Sequence, residues 1–278
     1  MNIDAHQHFW KYSQADYPWI TSGMERLAQD YLPSELVQTS QPYNISGSVA
    51  VQARQTKEET QWLLKCADDY PSIRGVVGWV DLRSPSVGDD LSHFSRNKKF
   101  VGVRHVVQDE PDPRFLLGPE FLRGLRQLAD FELTYDLLIL PHQLPAAVEL
   151  VRLFPEQHFV LDHMAKPPVK SGEINDWKQD FSELAEHENV MCKVSGLVTE
   201  ADWKIWRQRD FTPYLETAID AFGPDRLMFG SDWPVCLLSA EYAEVIGVAN
   251  SLIDQLSLDE ANAIRSRNAK IFYGLVQD

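Results

Sequence analysis

Eight short runs of apolar, often β-branched residues recur along this chain and alternate with stretches whose apolar residues follow the helical period. The runs begin near Ile3, Ser46, Ile73, Lys99, Leu133, His158, Asn189 and Arg226. Their spacing of about 25 to 45 residues suits a strand followed by a crossover helix and its loops. Eight such units in a chain of 278 residues predict an α/β protein with a (β/α)8 barrel, the TIM-barrel fold.

An open, doubly wound sheet is the alternative fold, and it usually carries a glycine-rich phosphate-binding turn after its first strand. Here that turn reads His-Gln-His-Phe-Trp, which disfavours the alternative. No linker, repeat or low-complexity segment divides residues 1–278, so we predict a single domain.

We expect an aromatic loop over residues 9–33 that either walls a pocket or forms a plug or subunit contact. We also expect helices over residues 56–69 and 118–131, and two C-terminal helices over residues 240–256 and 258–273.

The charge balance excludes several classes of partner. The chain has 26 Lys and Arg against 41 Asp and Glu, a net charge of −15, which disfavours binding to nucleic acid or to an anionic membrane. Three widely spaced cysteines indicate neither a disulfide framework nor a thiolate zinc cluster. With no signal-peptide pattern and no membrane-length apolar run, we expect a cytoplasmic protein that acts on a small molecule. The sequence is compatible with a homo-oligomer.

A His-x-His pair ends the first predicted strand. Alternation along a strand puts Asp4, His6 and His8 on one side, so two imidazoles converge where barrel active sites lie. Such a pair can bind one metal ion; the alternative is two hydrogen-bonded or exposed histidines. A metal usually needs three or four protein ligands. His163 ends the sixth strand and Asp232 ends the eighth, so both are candidates for the remaining positions.

Five stretches of the chain resemble the amidohydrolase superfamily, and within it the amidohydrolase-related branch of sugar-acid lactonases such as L-fuconolactonase and L-rhamnonolactonase. They are IDAHQHFW at residues 3–10, GVRHVVQDEPD at 102–112, LDHMAKP at 161–167, CKVSG at 192–196 and FGSDWPV at 229–235. The resemblance runs from residue 3 to about residue 274 and implies a (β/α)8 barrel. It also implies a hydrolase that opens a sugar-acid lactone of the L-fucono or L-rhamnono type by attack of an activated water.

The resemblance also implies roles for individual residues. The metal ligands of the family fall on His6, His8, His163 and Asp232, with Asp232 also acting as the general base. One divalent ion, zinc, is the expected cofactor. The fourth predicted strand ends in Val-Arg-His and the fifth reads Leu-Thr-Tyr-Asp-Leu, so neither carries the lysine that bridges two metals in binuclear members. A one-metal site is therefore favoured.

Other polar or aromatic side chains lie at the predicted strand ends. Arg104 and His105 end the fourth strand, and we expect them to stabilise charge on the carbonyl oxygen. Arg54 and Tyr135, on the second and fifth strands, and Trp233 beside Asp232 are candidates for substrate binding. A plainer role stays open for most of them: an ion pair for either arginine, a hydrogen-bonded histidine for His105, and core packing for Trp233. Tyr135 and Asp136 alternate faces, so only one of the two can face inward.

Other interpretations of two residues and of the function remain open. Lys193 and Ser195 on the seventh strand could act as nucleophiles, but without a Gly-x-Ser-x-Gly motif we favour structural roles for them. Related superfamily members are decarboxylases of unsaturated acids, and the pyrone-dicarboxylate lactonases work without metal. A non-catalytic binding protein is a further alternative.

Overall fold

The computed structural model describes residues 2–275 and forms a barrel of eight parallel strands in the order of the chain. The strands are β1 (Asn2–Gln7), β2 (Ile45–Val51), β3 (Ile73–Gly78), β4 (Phe100–Val106), β5 (Thr134–Leu138), β6 (Phe159–Leu161), β7 (Val190–Val194) and β8 (Leu227–Phe229). Each begins within one residue of the position that the apolar runs indicate. The predicted (β/α)8 fold is therefore confirmed.

The helices lie between the strands and after β8. They are α1 (Pro33–Ser40), α2 (Lys57–Asp69), α3 (Val87–Phe94), α4 (Pro119–Leu125), α5 (Leu144–Leu153), α6 (Asn175–Ala185), α7 (Thr212–Phe222), α8 (Tyr242–Ile253), α9 (Leu258–Asn262) and α10 (Asn268–Phe272). A π-helical turn, Ala263–Arg267, joins the last two. Within residues 2–275, none of these helices is long and apolar enough to cross a membrane.

Helix boundaries follow local chemistry. Thr56 caps α2, because its hydroxyl accepts a hydrogen bond from the backbone N–H of Glu59. The predicted helix over residues 118–131 is instead α4 followed by a tighter 3₁₀ segment, Arg126–Phe131. That segment ends at Glu132, which has a left-handed backbone (φ 56°). The segment over residues 258–273 is likewise three short helical pieces rather than one helix.

Both faces of the sheet are buried, as is usual for parallel strands. A small apolar layer fills the lower barrel interior and includes Ile3, Ala5, Val49, Val77, Val160 and Met228. A larger layer packs between the strands and the helices. The barrel closes at its mouth, where Gln7 pairs with Trp233 and the backbone N–H of Asp232 donates to the carbonyl of His6 (2.8 Å).

The first strand departs from strict alternation. Asp4 faces the helix layer, where it accepts a hydrogen bond from the hydroxyl of Tyr242 on α8 (3.0 Å), whereas His6 faces the barrel interior. The pairing of β1 with β2 is irregular between Asp4 and Gln7, and such a bulge shifts the alternation by one residue. The prediction that Asp4 shares a face with His6 and His8 is therefore wrong.

Candidate metal and active site

Three imidazoles and one carboxylate converge at the mouth of the barrel. Nε2 of His6 lies 3.2 Å from Nε2 of His8, which lies 3.3 Å from Oδ1 of Asp232. The same carboxylate oxygen is 3.9 Å from Nε2 of His6 and 3.9 Å from Nε2 of His163. Ligands about 2.0–2.2 Å from a tetrahedral zinc ion are roughly 3.3 Å from one another. The spacing of the His6, His8 and Asp232 atoms fits one such ion, and Nε2 of His163 adjoins this group beside the carboxylate of Asp232.

The second nitrogen of each imidazole faces a group that can accept its proton. Nδ1 of His8 lies 2.8 Å from the carbonyl of Val51, and Nδ1 of His163 lies 2.9 Å from the hydroxyl of Ser195. Nδ1 of His6 lies 3.3 Å from Oδ1 of Asp162 and also 3.1 Å from the ammonium of Lys193. A proton on Nδ1 leaves the lone pair of Nε2 free for a metal, so these partners orient the rings for binding.

The protonation states also suit metal binding. Burial lowers the pKa of His163 to about 4, and burial likewise holds the pKa of His6 well below its usual value, so both rings are neutral near pH 7. Burial alone would raise the pKa of Asp232, but the neighbouring His163, His8 and His6 hold it below its usual range. Neutral imidazoles and an ionised carboxylate are the forms that bind a divalent cation.

The backbone around His163 is unusual and brings this side chain into the site. Residues 163–166 all have a left-handed backbone, so the chain turns sharply at the end of β6. The ring of His163 then packs against Gly196, where an added β-carbon would lie 2.5 Å from Nδ1. A β-carbon at Gly230 would lie 2.7 Å from that of His6. Glycine at both positions permits this close approach.

Arg104 reaches from β4 to the same point. Its Nη1 donates to Oδ2 of Asp162 (3.0 Å) and lies 3.3 Å from Nε2 of His6. Its Nε and Nη2 donate to the side-chain oxygen of Gln52 (3.0 and 2.7 Å), and Nη2 also donates to the carbonyl of Gln52. The guanidinium is thus held rigidly at the edge of the space on which the ligand atoms converge.

A buried ion cluster lies beneath these residues. The ammonium of Lys193 lies 2.6 Å from Oδ2 of Asp136 and 2.9 Å from Oδ1 of Asp162, and all three side chains are fully buried. The hydroxyl of Tyr273 donates to the same oxygen of Asp136 (2.8 Å). Sequence reasoning did not single out Asp162; its position directly before His163 at a strand end was the available signal. Lys193 is fully buried and paired with two carboxylates, and a structural role for it stays a prediction.

A cavity of about 710 Å³ opens above the site. His8, Arg104, His163 and Asp232 form part of its lining. The aromatic loop contributes Asp16, Pro18, Trp19 and Met24, so part of this segment walls the cavity. Arg54 also lines the cavity, and its guanidinium pairs with Asp16 (2.7 Å).

Three predicted site residues lie away from the cavity and require correction. Since Arg104 faces inward, its neighbour His105 faces outward, where it stacks on Phe115 and contacts Glu110 (2.7 Å). Tyr135 alternates with the inward-facing Asp136 in the same way, and its fully buried ring packs among the aromatic side chains of the helix layer. Trp233 is 3% exposed and packs against the rings of Phe9 and Tyr31.

The eight-stranded barrel carries a His-x-His pair at the end of β1, a histidine after β6 and an aspartate after β8, all at the mouth where barrel enzymes have their active sites. The family model described as amidohydrolase matches residues 3–275. This chain belongs to that family, as the resemblance implies.

Individual relatives are close over most of the chain. The L-fucono-1,5-lactonase of Burkholderia multivorans is 42% identical over 99% of this chain and 96% of its own length. The L-fucono-1,5-lactonase of Burkholderia ambifaria is 37% identical over 87% of this chain and 83% of its own length. A crystal structure of an amidohydrolase from Burkholderia multivorans with bound zinc is 42% identical, with a TM-score of 0.95, and covers 99% of this chain and 100% of that one. In this chain, the His6, His8 and Asp232 side chains form a group that could hold a metal ion.

Proposed function

We propose that this protein is a hydrolase that opens sugar-acid lactones, and that L-fucono-1,5-lactone is the substrate to test first. The observation that carries the proposal is the placement of an ionised carboxylate, Asp232, on the floor of one cavity with Arg104 and the imidazoles of His8 and His163. The buried imidazole of His6 adjoins the same carboxylate. The near-full-length similarity to two L-fucono-1,5-lactonases supports this substrate class.

The residues on the cavity floor have separate tasks in this proposal. Asp232 takes a proton from the attacking water and later returns it to the leaving alkoxide, which is general base followed by general acid catalysis. Arg104 donates to the carbonyl oxygen as negative charge develops there. Because Gln52 and Asp162 already hold its guanidinium, Arg104 needs little reorganisation during the reaction.

We further propose that the bound ion is zinc, held by His6, His8, His163 and Asp232. Imidazole nitrogens with one carboxylate oxygen are a common zinc donor set, and the zinc-bound relative supports this choice. A zinc ion supplies Lewis acidity, which polarises an ester carbonyl and makes water acidic near neutral pH. Lys193 contributes a fixed positive charge beneath the site instead of a second metal.

The cavity suits an uncharged, polyhydroxylated ring. Two cations on its wall are matched by carboxylates, since Arg54 pairs with Asp16 (2.7 Å) and Lys166 lies 3.8 Å from Glu200. Indole rings of Trp19 and Trp203 also line it and offer flat apolar surfaces for the carbon face of a sugar. A neutral lactone therefore leaves these ion pairs intact.

We place the activity in the cytoplasm, as the three free cysteines suggest.

The test is acid release from L-fucono-1,5-lactone, followed with a pH indicator in weak buffer and corrected for spontaneous hydrolysis. The wild-type protein should accelerate ring opening, and Asp232→Asn and His6→Ala should each lower the rate by several orders of magnitude. Thermal unfolding would check that each variant folds. Release of carbon dioxide from an unsaturated carboxylic acid, with no lactone hydrolysis, would contradict the proposal and favour a decarboxylase.

A further inference from the structure

Asp162 lies between two groups that the proposed reaction needs. Its Oδ1 is 3.3 Å from Nδ1 of His6, and its Oδ2 accepts a hydrogen bond from Nη1 of Arg104 (3.0 Å). One fully buried carboxylate thus contacts both a metal-ligating side chain and the group that faces the carbonyl oxygen. We propose that Asp162 is a positioning residue that aligns His6 and Arg104 together, an inference that rests on the proposed function.

The surroundings of His6 make this contact decisive. Nζ of Lys193 lies 3.1 Å from Nδ1 of His6, and an ammonium group can only donate hydrogen bonds. If Nδ1 accepted a hydrogen bond from Lys193, the proton of the neutral ring would lie on Nε2. Nε2 is the atom that faces His8 and Asp232, so a ring in that state could not bind the metal.

Asp162 favours the other state from the Nδ1 side, and Arg104 favours it from the Nε2 side, because its Nη1 lies 3.3 Å from Nε2 and can only donate. The carboxylate of Asp162 can accept the proton of Nδ1, which leaves the lone pair of Nε2 directed toward the metal ligands. The ammonium of Lys193 then donates to Asp136 (2.6 Å) and forms an ion pair with Asp162 (2.9 Å). Asp162 therefore selects the form of His6 that can bind a metal, while its second oxygen holds Arg104.

Asparagine at this position cannot do both tasks. A carboxamide has one accepting oxygen and one donating NH2 group. If its oxygen faces Arg104, the NH2 group faces Nδ1 of His6 and favours the wrong form of the ring. If its oxygen faces His6, the NH2 group meets Nη1 of Arg104, which is also a donor. Either orientation disrupts one of the two alignments.

Asp136 provides a matched control. It belongs to the same buried cluster and also pairs with Lys193, but its hydrogen bonds run to Lys193 and Tyr273. Asp136→Asn removes the same charge without changing a contact of His6 or Arg104. Both hydrogen bonds of Asp136 run to Oδ2, so the carboxamide oxygen can keep them and no donor conflict arises. A purely structural role for the cluster predicts similar consequences for Asp136→Asn and Asp162→Asn.

The experiment compares zinc retention after a chelator challenge, kcat and KM for L-fucono-1,5-lactone, and thermal unfolding. Asp162→Asn should lower zinc affinity and kcat by about 10-fold to 100-fold, with a smaller change in KM. Asp136→Asn should stay within about threefold of the wild-type protein in zinc affinity and kcat, although both variants unfold at lower temperature. Equal losses in the two variants would overturn the proposal.

Two further comparisons separate a failure to fold, or a failure of the proposed function, from a failure of the role proposed for Asp162. If Asp162→Asn does not fold, the double variant Asp162→Asn/Lys193→Met is tested instead. It removes one buried negative charge and one buried positive charge together, so no uncompensated charge remains from this pair. The same fall in kcat is expected there because Arg104 still lacks its carboxylate, and an unchanged kcat would overturn the proposal. If the wild-type protein hydrolyses no lactone, the proposed function fails, but zinc retention still decides the role of Asp162 because it requires no substrate.

Discussion

The ring of His163 rests directly on the backbone of Gly196, so that a β-carbon at Gly196 would lie 2.5 Å from Nδ1 of the ring. Gly196 also has a left-handed backbone, with φ of 66°. The glycine of the Cys-Lys-Val-Ser-Gly stretch therefore makes room for the histidine that follows β6. Because the side chain of His163 faces Asp232 from this position, its placement depends on the absence of a side chain on a neighbouring strand end.

Gly196→Ala should displace His163 and lower both zinc retention and lactone hydrolysis by at least about 10-fold. The matched control is Gly223→Ala, since Gly223 has nearly the same φ (67°) but no atom within 4 Å of an added β-carbon. Gly196→Ala should lose about 1–2 kcal/mol of stability from backbone strain. Gly223→Ala should lose more, because its ψ of 168°, against 0° at Gly196, lies in a region that is essentially restricted to glycine. Zinc content and turnover should separate them, and an equal effect on turnover would contradict this role of Gly196.

Removal of the metal should abolish most of the activity and lower the unfolding temperature. A bound ion stabilises the folded chain by mass action, and without it the ionised carboxylate of Asp232 lies among neutral imidazoles with no cation between them. The measurement is turnover and thermal unfolding after chelation and dialysis, with the metal content measured directly. Added zinc should restore both. Full turnover by protein shown to be metal-free would instead indicate a metal-independent lactonase.

Arg104→Lys should lower kcat by about 100-fold to 1,000-fold, the usual cost of losing an oxyanion donor. Lysine keeps the charge but cannot donate to Gln52 and Asp162 at the same time with a fixed planar group. Arg54→Lys is the control, because Arg54 lies on the cavity wall and is partly exposed. We expect that control to change KM more than kcat. A change confined to KM in Arg104→Lys would assign that residue to substrate binding alone.

The sequence predicted the strands and the convergence of the ligand residues well, because both depend on regular features of the barrel. Parallel strands in a closed sheet end at one mouth, so His6, His8, His163 and Asp232 could be brought together without coordinates. Apolar runs bounded by helical stretches located each strand to within one residue.

Alternation along the strands was less reliable, for physical reasons. The irregular pairing of β1 moved Asp4 to the helix layer, and no local signal in the sequence specified it. At β5, alternation left either Tyr135 or Asp136 facing inward, and the buried ammonium of Lys193 on β7 favours the carboxylate. That pairing joins residues 57 positions apart, so a single sequence could not reveal it. The cavity wall is built from loops, whose conformations the strand pattern does not determine.

Glu59 provides a pH-dependent prediction outside the metal site. Its buried carboxylate accepts hydrogen bonds from the backbone N–H groups of Ala53 (2.9 Å) and Arg54 (2.7 Å), and it contacts the hydroxyl of Tyr17 (3.3 Å). It thereby joins α2 to the loop after β2 and to the aromatic loop. Burial raises its pKa to about 7, although these hydrogen bonds and nearby Arg54 favour the charged form.

A raised pKa means that the folded chain binds this proton more tightly than the unfolded chain does. The stabilisation from Glu59 is therefore fully present below about pH 4.5 and falls as the pH rises to about 7, by roughly 3 kcal/mol at most. Glu59→Gln should remove this slope, because the amide oxygen can accept both backbone hydrogen bonds without ionising. The measurement is the urea midpoint between pH 4.5 and 8, with Glu58→Gln, an exposed neighbour, as the control. Parallel curves for Glu59→Gln and the wild-type protein would show that Glu59 ionises in the folded chain as readily as in the unfolded one.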